Sequence, residues 1–181
     1  MCGIAGLVTP GRVDEMLLRR MARTLSHRGP DDEGVWVDPE AGVGFGHRRL
    51  SIVDLSPAGH QPMLSADGRW VLSFNGEIYN HTALRAELEE GGGGPAAAGQ
   101  AWRGHCDSET LIECIAAWGL EATLGKSVGM FAISLWDRRE RRLVRAVCVH
   151  AAIHAPSRSN CSHPHRPGQR ADGLSRTVRR T

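Results

Sequence analysis

The chain contains 181 residues, of which 41% are hydrophobic and 23% charged, and its formal net charge is +2. These values are typical of one globular domain, and no apolar run approaches the roughly 18 residues of a membrane helix, so we expect no membrane partner. The five cysteines are odd in number and lack C-x-x-C spacing. We therefore expect neither a disulfide framework nor a metal site, and a cytoplasmic location.

The chain begins with the small and apolar stretch Met1-Cys2-Gly3-Ile4-Ala5-Gly6. An initiator methionine is normally removed when the next side chain is small, and its removal would make Cys2 the N-terminal residue. A thiol and a free α-amine on one residue supply a nucleophile and a base together, and both groups ordinarily titrate near neutral pH. The alternative interpretation is an apolar strand that contains a cysteine by chance. These six residues alone do not separate the two interpretations.

The next part of the chain has the pattern of one helix followed by two strands. Apolar residues at helical spacing from Val13 to Leu25 predict a short amphipathic helix that covers a sheet. The turn-forming residues 26–31 end this helix. Two short strands are predicted at residues 35–37 and 43–47, separated by a Pro-Glu-Ala-Gly turn.

Two later stretches carry polar residues suited to ligand recognition. Arg49 follows the second strand, where a guanidinium can bind a carboxylate through two hydrogen bonds, although a solvated surface arginine is the commoner case. A strand at residues 70–74 leads into Asn75-Gly76-Glu77. This Asn-Gly pair predicts either a hairpin turn or an amide and a glycine N–H directed at a developing oxyanion.

The second half of the chain has the pattern of two helices and one buried strand. Asn80 is predicted to cap a helix that extends through Leu88, and the glycine- and alanine-rich residues 90–99 are predicted to form a flexible surface loop. A longer helix is predicted to begin near Asp107 and to end at Gly119, with Asp107 as its N-cap in one interpretation. The apolar residues 130–137 predict a buried strand.

These stretches include several motifs that occur in a fixed order along the chain. They are Cys2-Gly3-Ile4, Ser26-His27-Arg28-Gly29-Pro30-Asp31, His47-x-Arg49-Leu50-Ser51-Ile52, Asn75-Gly76-Glu77-Ile78-Tyr79-Asn80, Asp107-Ser108-Glu109 and Gly129-Met130-Phe131-Ala132. Together they resemble the class II glutamine amidotransferase domain of the glutamine-hydrolysing asparagine synthetase family. The resemblance covers residues 1 to about 143.

The resemblance implies an α+β fold of the N-terminal nucleophile hydrolase class. This fold is an αββα sandwich of two antiparallel sheets between helical layers, and we expect it to be incomplete at its C-terminal end. The resemblance also implies that the Cys2 thiolate attacks the side-chain amide of glutamine while its α-amine relays the proton. The side chain of Asn75 and the N–H of Gly76 resemble the oxyanion hole. The expected products are glutamate and ammonia.

The same resemblance implies a set of substrate-binding residues, with glutamine as the partner. Arg49 resembles the group that binds the α-carboxylate, and Asp107 resembles the group that pairs with the α-ammonium. The other implied contacts with glutamine come from Leu50, Ser51, Ile52, Val53, Asn75, Gly76 and Glu77, with Ile52 and Val53 contributing backbone atoms. A cation for the carboxylate and an anion for the amine would reject molecules that lack either group.

The resemblance ends where the composition of the chain changes. Residues 144–181 contain seven arginines and one aspartate, whereas the first 143 residues carry a net charge of −4. We expect a divergent, disordered basic tail produced by a frameshift near Val144. The alternative is a tail that binds nucleic acid, but its single arginines lack interleaved aromatic residues, so we expect no nucleic-acid partner.

Three functions are compatible with this sequence. The favoured one is a glutaminase domain that supplies ammonia for asparagine biosynthesis, because the sequence of residues 47–54 resembles the asparagine synthetase branch of the family. The others are an inactive truncated fragment or glutamine-binding remnant, and an amidotransferase domain that serves another acceptor such as a sugar phosphate. We expect the synthetase domain to be absent together with its ATP and magnesium, and therefore no cofactor in this chain. The pattern makes no prediction of the oligomeric state.

Overall fold

The structure is a computed structural model that describes residues 1–52, residues 54–148 and the two-residue strand at 177–178. Its strands are β1 (Gly3–Val8), β2 (Asp32–Asp38), β3 (Val43–Arg49), β4 (Met63–Leu64), β5 (Trp70–Ile78), β6 (Gly129–Asp137), β7 (Arg142–Cys148) and β8 (Thr177–Val178). Its helices are α1 (Glu15–Arg23), α2 (His81–Glu90), α3 (Asp107–Trp118) and α4 (Leu120–Lys126). No helix in this part of the chain is long and apolar enough to cross a membrane.

The strands form two antiparallel sheets that pack against each other. The first sheet has the order β1-β3-β2, and the second has the order β4-β5-β6-β7-β8. Helix α1 packs on the outer face of the first sheet, while α3 packs on the second sheet and α2 packs on α3. The order of layers is therefore helix, sheet, sheet, helix.

Strand β3 shows how residue alternation builds the first two layers. Its odd-numbered residues face the second sheet: Val43 and Phe45 pack against Val71 and Trp136 there. Its even-numbered glycines, Gly44 and Gly46, face Leu18 and Ala22 of α1. Because successive side chains of a strand point to opposite faces, one strand supplies both contacts. The small residues let α1 approach the sheet closely.

Strand β5 shows the same alternation in the second sheet. Leu72, Phe74 and Ile78 belong to the apolar core between this sheet and its helices. The intervening residues Val71 and Ser73 face the first sheet, where Val71 joins the apolar cluster and Ser73 lies against β3. Strand β5 therefore takes part in both cores.

The Asn-Gly pair lies inside β5 and not at a turn. Strand β5 continues to Ile78, with Asn75 opposite Ala132 and Gly76 opposite Phe131 of β6. The hairpin interpretation of this pair is therefore wrong. The backbone of Gly76 has φ 148°, and an added Cβ would collide with the carbonyl oxygen of Met130. A side chain at this position is excluded by that close approach.

Two other local expectations concern Asn80 and the glycine-rich residues. Asn80 occupies the N-cap position of α2, as expected, although its side chain makes no capping hydrogen bond. Its amide nitrogen instead donates to the carbonyl of Lys126, and its amide oxygen accepts the N–H of Val128, which joins the start of α2 to the start of β6. The glycine-rich residues 90–99 are mostly exposed, as expected of a surface loop, and Pro95–Ala98 within them form a 3-10 turn in which Pro95 is buried.

Strand β7 continues past the boundary expected at Leu143. Its residues up to Cys148 pair with β6, and Val144 and Arg145 also pair with β8. Residues 144–148 therefore belong to the second sheet. The expected disorder of the tail concerns residues 149–176 and 179–181, which lie outside the described residues, as does Val53.

Candidate functional site

Strands β1, β3 and β5 bring three of the predicted site residues to one end of the layer between the sheets. Gly3 of β1 pairs with Arg48 of β3, which places Cys2 beside the end of β3. The N–H of Leu50 lies 3.4 Å from the Cys2 sulfur and donates to it. Asn75 continues the face of β5 that carries Ser73. Cys2, Arg49 and Asn75 consequently line the same cavity.

This cavity has a volume of about 270 Å³. That volume is slightly below the range of about 300–1,000 Å³ found for pockets that bind drug-sized ligands, and so suits a smaller metabolite. The predicted site residues that line it are Cys2, Arg49, Leu50, Ile52, Asn75, Gly76, Glu77 and Asp107. Ser51 does not line it, and its N–H donates to a carboxylate oxygen of Asp31 at 2.7 Å.

The backbone next to the Cys2 thiol is fixed by two neighbouring residues. Nε of Arg28 donates to the carbonyl oxygen of Cys2 at 3.2 Å, and Leu50 contacts the sulfur. The thiol is half-buried at the cavity wall and takes part in no disulfide. Met1 lines the same cavity. The thiol is therefore held in place and can reach a molecule in the cavity.

Arg49 is buried, with 8% of its surface exposed. Its Nη1 donates to the carbonyl of Ser56 at 2.9 Å, and its Nη2 donates to the carbonyl of Asp54. Gly59 makes room for the guanidinium, because a Cβ there would collide with Nη2. The surface-arginine interpretation is therefore wrong. A buried guanidinium held by carbonyl groups keeps its full charge and favours an anionic ligand.

The edge of β5 that borders the cavity carries the N–H of Gly76. Alternate residues of an antiparallel strand point their N–H groups to the same edge. On this edge, the N–H of Phe74 donates to Oε1 of Gln61 at 2.6 Å, and the N–H of Ile78 donates to Oδ2 of Asp107 at 3.0 Å. Gly76 lies between them and lines the cavity, so its N–H points to the same edge. This places a backbone donor at the cavity wall.

The side chain of Asn75 has unused hydrogen-bonding capacity. Its Oδ1 is buried, and no acceptor or donor partner for it is present among the described residues. A buried polar atom without a partner costs about 1–3 kcal/mol, so such atoms are commonly satisfied by a ligand or water. Asn75 and Gly76 are adjacent, and both line the cavity. The cavity thus has an amide and a backbone N–H side by side.

Asp107 is the first residue of α3, and the N-cap position belongs to Cys106. The N-cap interpretation of Asp107 is therefore wrong. Asp107 is buried, with 6% of its surface exposed, and its carboxylate accepts the N–H groups of Ile78 and Ser108. Burial raises the pKa of Asp107, and these two hydrogen bonds oppose that rise. The acid lines the same cavity as Arg49 and can pair with a cation there.

Three supporting residues are not among the predicted site residues. Asp54 joins two loops, since its Oδ1 accepts the N–H of Ser56 and its Oδ2 accepts the N–H of His105. The hydrogen bonds from Ser56 lower the pKa of Asp54. Gln61 holds Phe74, as described above. An Asp two residues before a Ser in a loop is typical of an Asx turn and could have indicated Asp54, whereas no local pattern indicates Gln61.

Glu109 is the third of these supporting residues. It is fully buried, and its carboxylate accepts the backbone N–H groups of Arg103 and Gly104. The guanidinium groups of Arg85 and Arg103 lie close to the same carboxylate, at 3.6 Å and 3.2 Å. Glu109 therefore fixes the loop that leads into Asp107.

His47 and Ser73 lie directly behind the site, between the two sheets. Nδ1 of His47 is 3.0 Å from Oγ of Ser73, and Nε2 is buried without a partner in the described part of the chain. Burial lowers the pKa of His47 to about 3, so this imidazole is neutral at physiological pH. Both residues therefore act as neutral polar groups within the sandwich.

Two further observations concern other kinds of site. Within the described residues, no group of three or more His, Cys, Asp or Glu side chains could hold a metal ion. A larger cavity of about 870 Å³ lies at the opposite end of the second sheet, near Trp70 and Trp118. None of the predicted site residues lines it, so the smaller cavity remains the candidate site.

Comparison with known proteins identifies the family of this chain. A family model described as a glutamine amidotransferase domain matches residues 1–147. Asparagine synthetase [glutamine-hydrolyzing] 2 of Bacillus subtilis is 35% identical over 93% of this chain and 23% of that protein. The putative asparagine synthetase [glutamine-hydrolyzing] of Mycobacterium tuberculosis is 39% identical over 79% of this chain and 23% of that protein. The chain therefore spans about a quarter of the length of these relatives.

A solved structure shows the same fold. It is the glutamine phosphoribosylpyrophosphate amidotransferase of Bacillus subtilis complexed with ADP and GMP, which matches with a TM-score of 0.62 and 17% identity. The match covers 80% of this chain and 36% of that one. The expected α+β sandwich of antiparallel sheets is thus confirmed. Since the family model also matches most of the chain, the protein belongs to the glutamine amidotransferase domain family.

Proposed function

We propose that this protein hydrolyses the side-chain amide of glutamine, with Cys2 as the nucleophile. The observation that carries the proposal is the set of groups around one cavity: a thiol, a buried cation, a buried acid, and the Asn75 amide and Gly76 backbone of β5. Glutamine needs each of them, because it has a carboxylate, an ammonium and an amide carbonyl that becomes an oxyanion during hydrolysis.

The two charged residues bind the amino-acid end of glutamine in this proposal. Arg49 binds the α-carboxylate, since its buried guanidinium is already oriented by the carbonyls of Ser56 and Asp54. Asp107 binds the α-ammonium. Leu50, Ile52 and Glu77 complete the wall of the cavity. Ser51 lies outside the cavity lining, so the proposal gives it no contact with glutamine, and Val53 lies outside the described residues.

The reaction proceeds through a thioester in four proton-balanced steps. Removal of Met1 exposes the α-amine of Cys2, which takes the proton of the thiol. The thiolate attacks the amide carbon, and the oxyanion accepts hydrogen bonds from the Gly76 N–H and the Asn75 amide. Collapse of this intermediate breaks the C–N bond, and the α-ammonium returns its proton to the leaving nitrogen as ammonia. Water then attacks the thioester, giving glutamate and the free thiol.

The oxyanion donors are expected to contribute a large part of the rate. Removing one such donor in a hydrolase typically lowers kcat by about 10²–10³. The donors lie on β5, a strand held by β6 along its whole length, so they need no reorganisation during the reaction. This supports a hydrolytic role for the site over simple glutamine binding.

The ammonia is proposed to serve asparagine biosynthesis. The names of the relatives support this acceptor, and nothing in the site favours a sugar phosphate. The described cysteines, Cys2, Cys106, Cys114 and Cys148, are all free thiols. Free thiols fit a reducing compartment, so we also propose a cytoplasmic location.

The test is a glutaminase assay on the purified full chain, combined with an intact mass measurement. We expect glutamate release from protein that has lost Met1. A matched variant carries an N-terminal extension that keeps Cys2 internal. The α-nitrogen of Cys2 then belongs to a peptide bond and cannot act as a base. That variant is expected to lose hydrolysis, and equal activity in the two proteins would disprove the N-terminal nucleophile mechanism.

A further inference from the structure

The edge of β5 that faces the cavity loses its strand partner part of the way along. Strand β4 has only two residues, and they pair with Leu72 and Val71. Strand β5 nevertheless continues to Ile78. Beyond Leu72, each alternate N–H on this edge must find an acceptor outside a β-ladder, because a buried donor without one is costly.

Gln61 supplies the first of these acceptors. Since Met63 pairs with Leu72, the same register extended backward by two residues would place Gln61 opposite Phe74. The Phe74 N–H is indeed accepted there, but by the side-chain Oε1 of Gln61, at 2.6 Å. Gln61 is 5% exposed. Its side chain therefore continues the hydrogen bonding of β4 where the strand itself has ended.

Gln61 is held firmly on both sides. Its neighbour His60 contacts Asp32 of β2, with Nδ1 2.7 Å from Oδ2. On the other side, the buried Met63 pairs with β5. The backbone on either side of Gln61 is therefore connected to both sheets, and its side chain reaches the end of β5.

The consequence concerns the two donors in the cavity. Gln61 fixes the peptide of Phe74, Asp107 fixes that of Ile78, and Gly76, which lines the cavity, lies between them. We infer that Gln61 is a positioning residue that directs the Asn75 amide and the Gly76 N–H at the oxyanion. This inference rests on the proposed function. Preorganised donors lose much of their effect when their direction changes slightly, so the support should control the rate.

The experiment compares two variants of the full chain. Gln61→Met has a similar shape but no acceptor oxygen, whereas Gln61→Glu keeps an acceptor at the same position. For Gln61→Met we expect kcat for glutamine to fall by about tenfold to a hundredfold, with KM changed by less than about twofold. Gln61→Glu should recover most of kcat. The rate of Cys2 alkylation by iodoacetamide, followed by peptide mass spectrometry, should be the same in all three proteins.

Amide hydrogen exchange provides a readout that does not depend on activity. In Gln61→Met the Phe74 N–H should exchange faster, while the Leu72 N–H, which β4 still covers, should not change. This pattern also verifies that the variant is folded. Unchanged protection of Phe74 would overturn the inference.

The kinetic outcomes separate this inference from the proposed function. An active parent whose Gln61→Met variant keeps its kcat would overturn only the positioning role. A raised KM with constant kcat would also overturn it, because Gln61 would then contact the substrate. If Gln61→Glu did not recover kcat, the claim that an acceptor oxygen at this position controls the rate would be overturned. A parent that does not hydrolyse glutamine would overturn the proposed function itself.

Discussion

The two ends of the layer between the sheets are built by the same strands but have opposite character. At one end, Val43 and Phe45 of β3 pack against Val71 and Trp136 of the second sheet. At the other end, Arg49 of β3 and Asn75 of β5 line a polar cavity with Cys2. Both ends follow the same two-residue alternation. The difference in polarity between the two ends therefore comes from the segments that surround each end and not from the alternation of the strands.

The surroundings of the two ends explain the contrast. The apolar end is closed by partly buried hydrophobic residues of the flanking strands, among them Trp36 and Leu143. The cavity end is reached by the loop that carries Ser56 and Gln61 and by the start of α3. These segments bring carbonyl, amide and carboxylate groups, so polar side chains can be buried there without losing their hydrogen bonds. His47 and Ser73 lie at the boundary.

The largest expected effect is at the polar end, on Cys2. Cys2→Ala should abolish glutamine hydrolysis and leave glutamine binding almost unchanged, because the thiol is the nucleophile and not a binding group. The matched control is Cys106→Ala, which removes the other thiol that lines the cavity. Burial raises the pKa of Cys106, so it is a poor nucleophile and its loss should preserve hydrolysis. Steady-state assays and calorimetric binding measure both effects, and loss of hydrolysis in Cys106→Ala alone would reverse the assignment.

At the apolar end, the expected effect is on stability. Trp136 is almost fully buried, and its Nε1 donates to Asp38 at 3.2 Å. Trp136→Ala should lower the free energy of unfolding by about 3–5 kcal/mol, since it leaves a large cavity between the sheets. Urea denaturation measures the loss. The KM for glutamine of the folded variant should not change, and an increase would show that the two ends are coupled.

The charged residues at the cavity end should affect substrate binding more than folding. Arg49→Ala and Asp107→Ala each remove a charge-assisted hydrogen bond of about 1.5–3 kcal/mol, so KM should rise roughly tenfold to a hundredfold. Arg48→Ala is the matched control, because Arg48 contacts Glu33 and the carbonyl of Gly29 instead of the cavity. If Asp107→Ala had lower thermal stability but an unchanged KM, Asp107 would support the fold and would not bind the substrate.

The smallest expected effect concerns the boundary residue His47. Its pKa lies near 3 in the folded protein, compared with an ordinary value of 6.5, so the unfolded chain takes up the proton first as the pH falls. The stability that His47 contributes is therefore present above pH 6.5 and is lost progressively toward pH 3. Between pH 7 and pH 5.5 the loss should be about 1 kcal/mol.

Denaturant unfolding of the parent and of His47→Gln measures this slope. Glutamine does not titrate, so the variant should lack this slope, and the difference in the free energy of unfolding between the two proteins should change by about 1 kcal/mol between pH 7 and pH 5.5. If the free energy of unfolding depended on pH in the same way in both proteins, the expected burial of a neutral imidazole would be contradicted. Carboxylates titrate mainly at lower pH, and their contribution to the pH dependence of stability is the same in both proteins.

The sequence by itself predicted most elements and most of the cavity residues. The helical spacing before Leu25 and the alternation in residues 43–47 are local periodicities, and each corresponds to an element of the structure. The motifs also indicated Cys2, Arg49 and Asp107, because a family resemblance transfers residues by position along the chain.

Only the tertiary structure decided how the polar groups are used. Whether Asn75-Gly76 forms a turn depends on β6, which pairs with it from far along the chain. Whether Asp107 caps a helix depends on the Ile78 N–H, and the need for Gln61 depends on where β4 ends. Local propensity cannot report these partners, because a hydrogen bond is made with whichever group the fold brings within about 3 Å. Strand positions are therefore encoded locally, whereas the direction of each donor and acceptor in this cavity is set by non-local pairing.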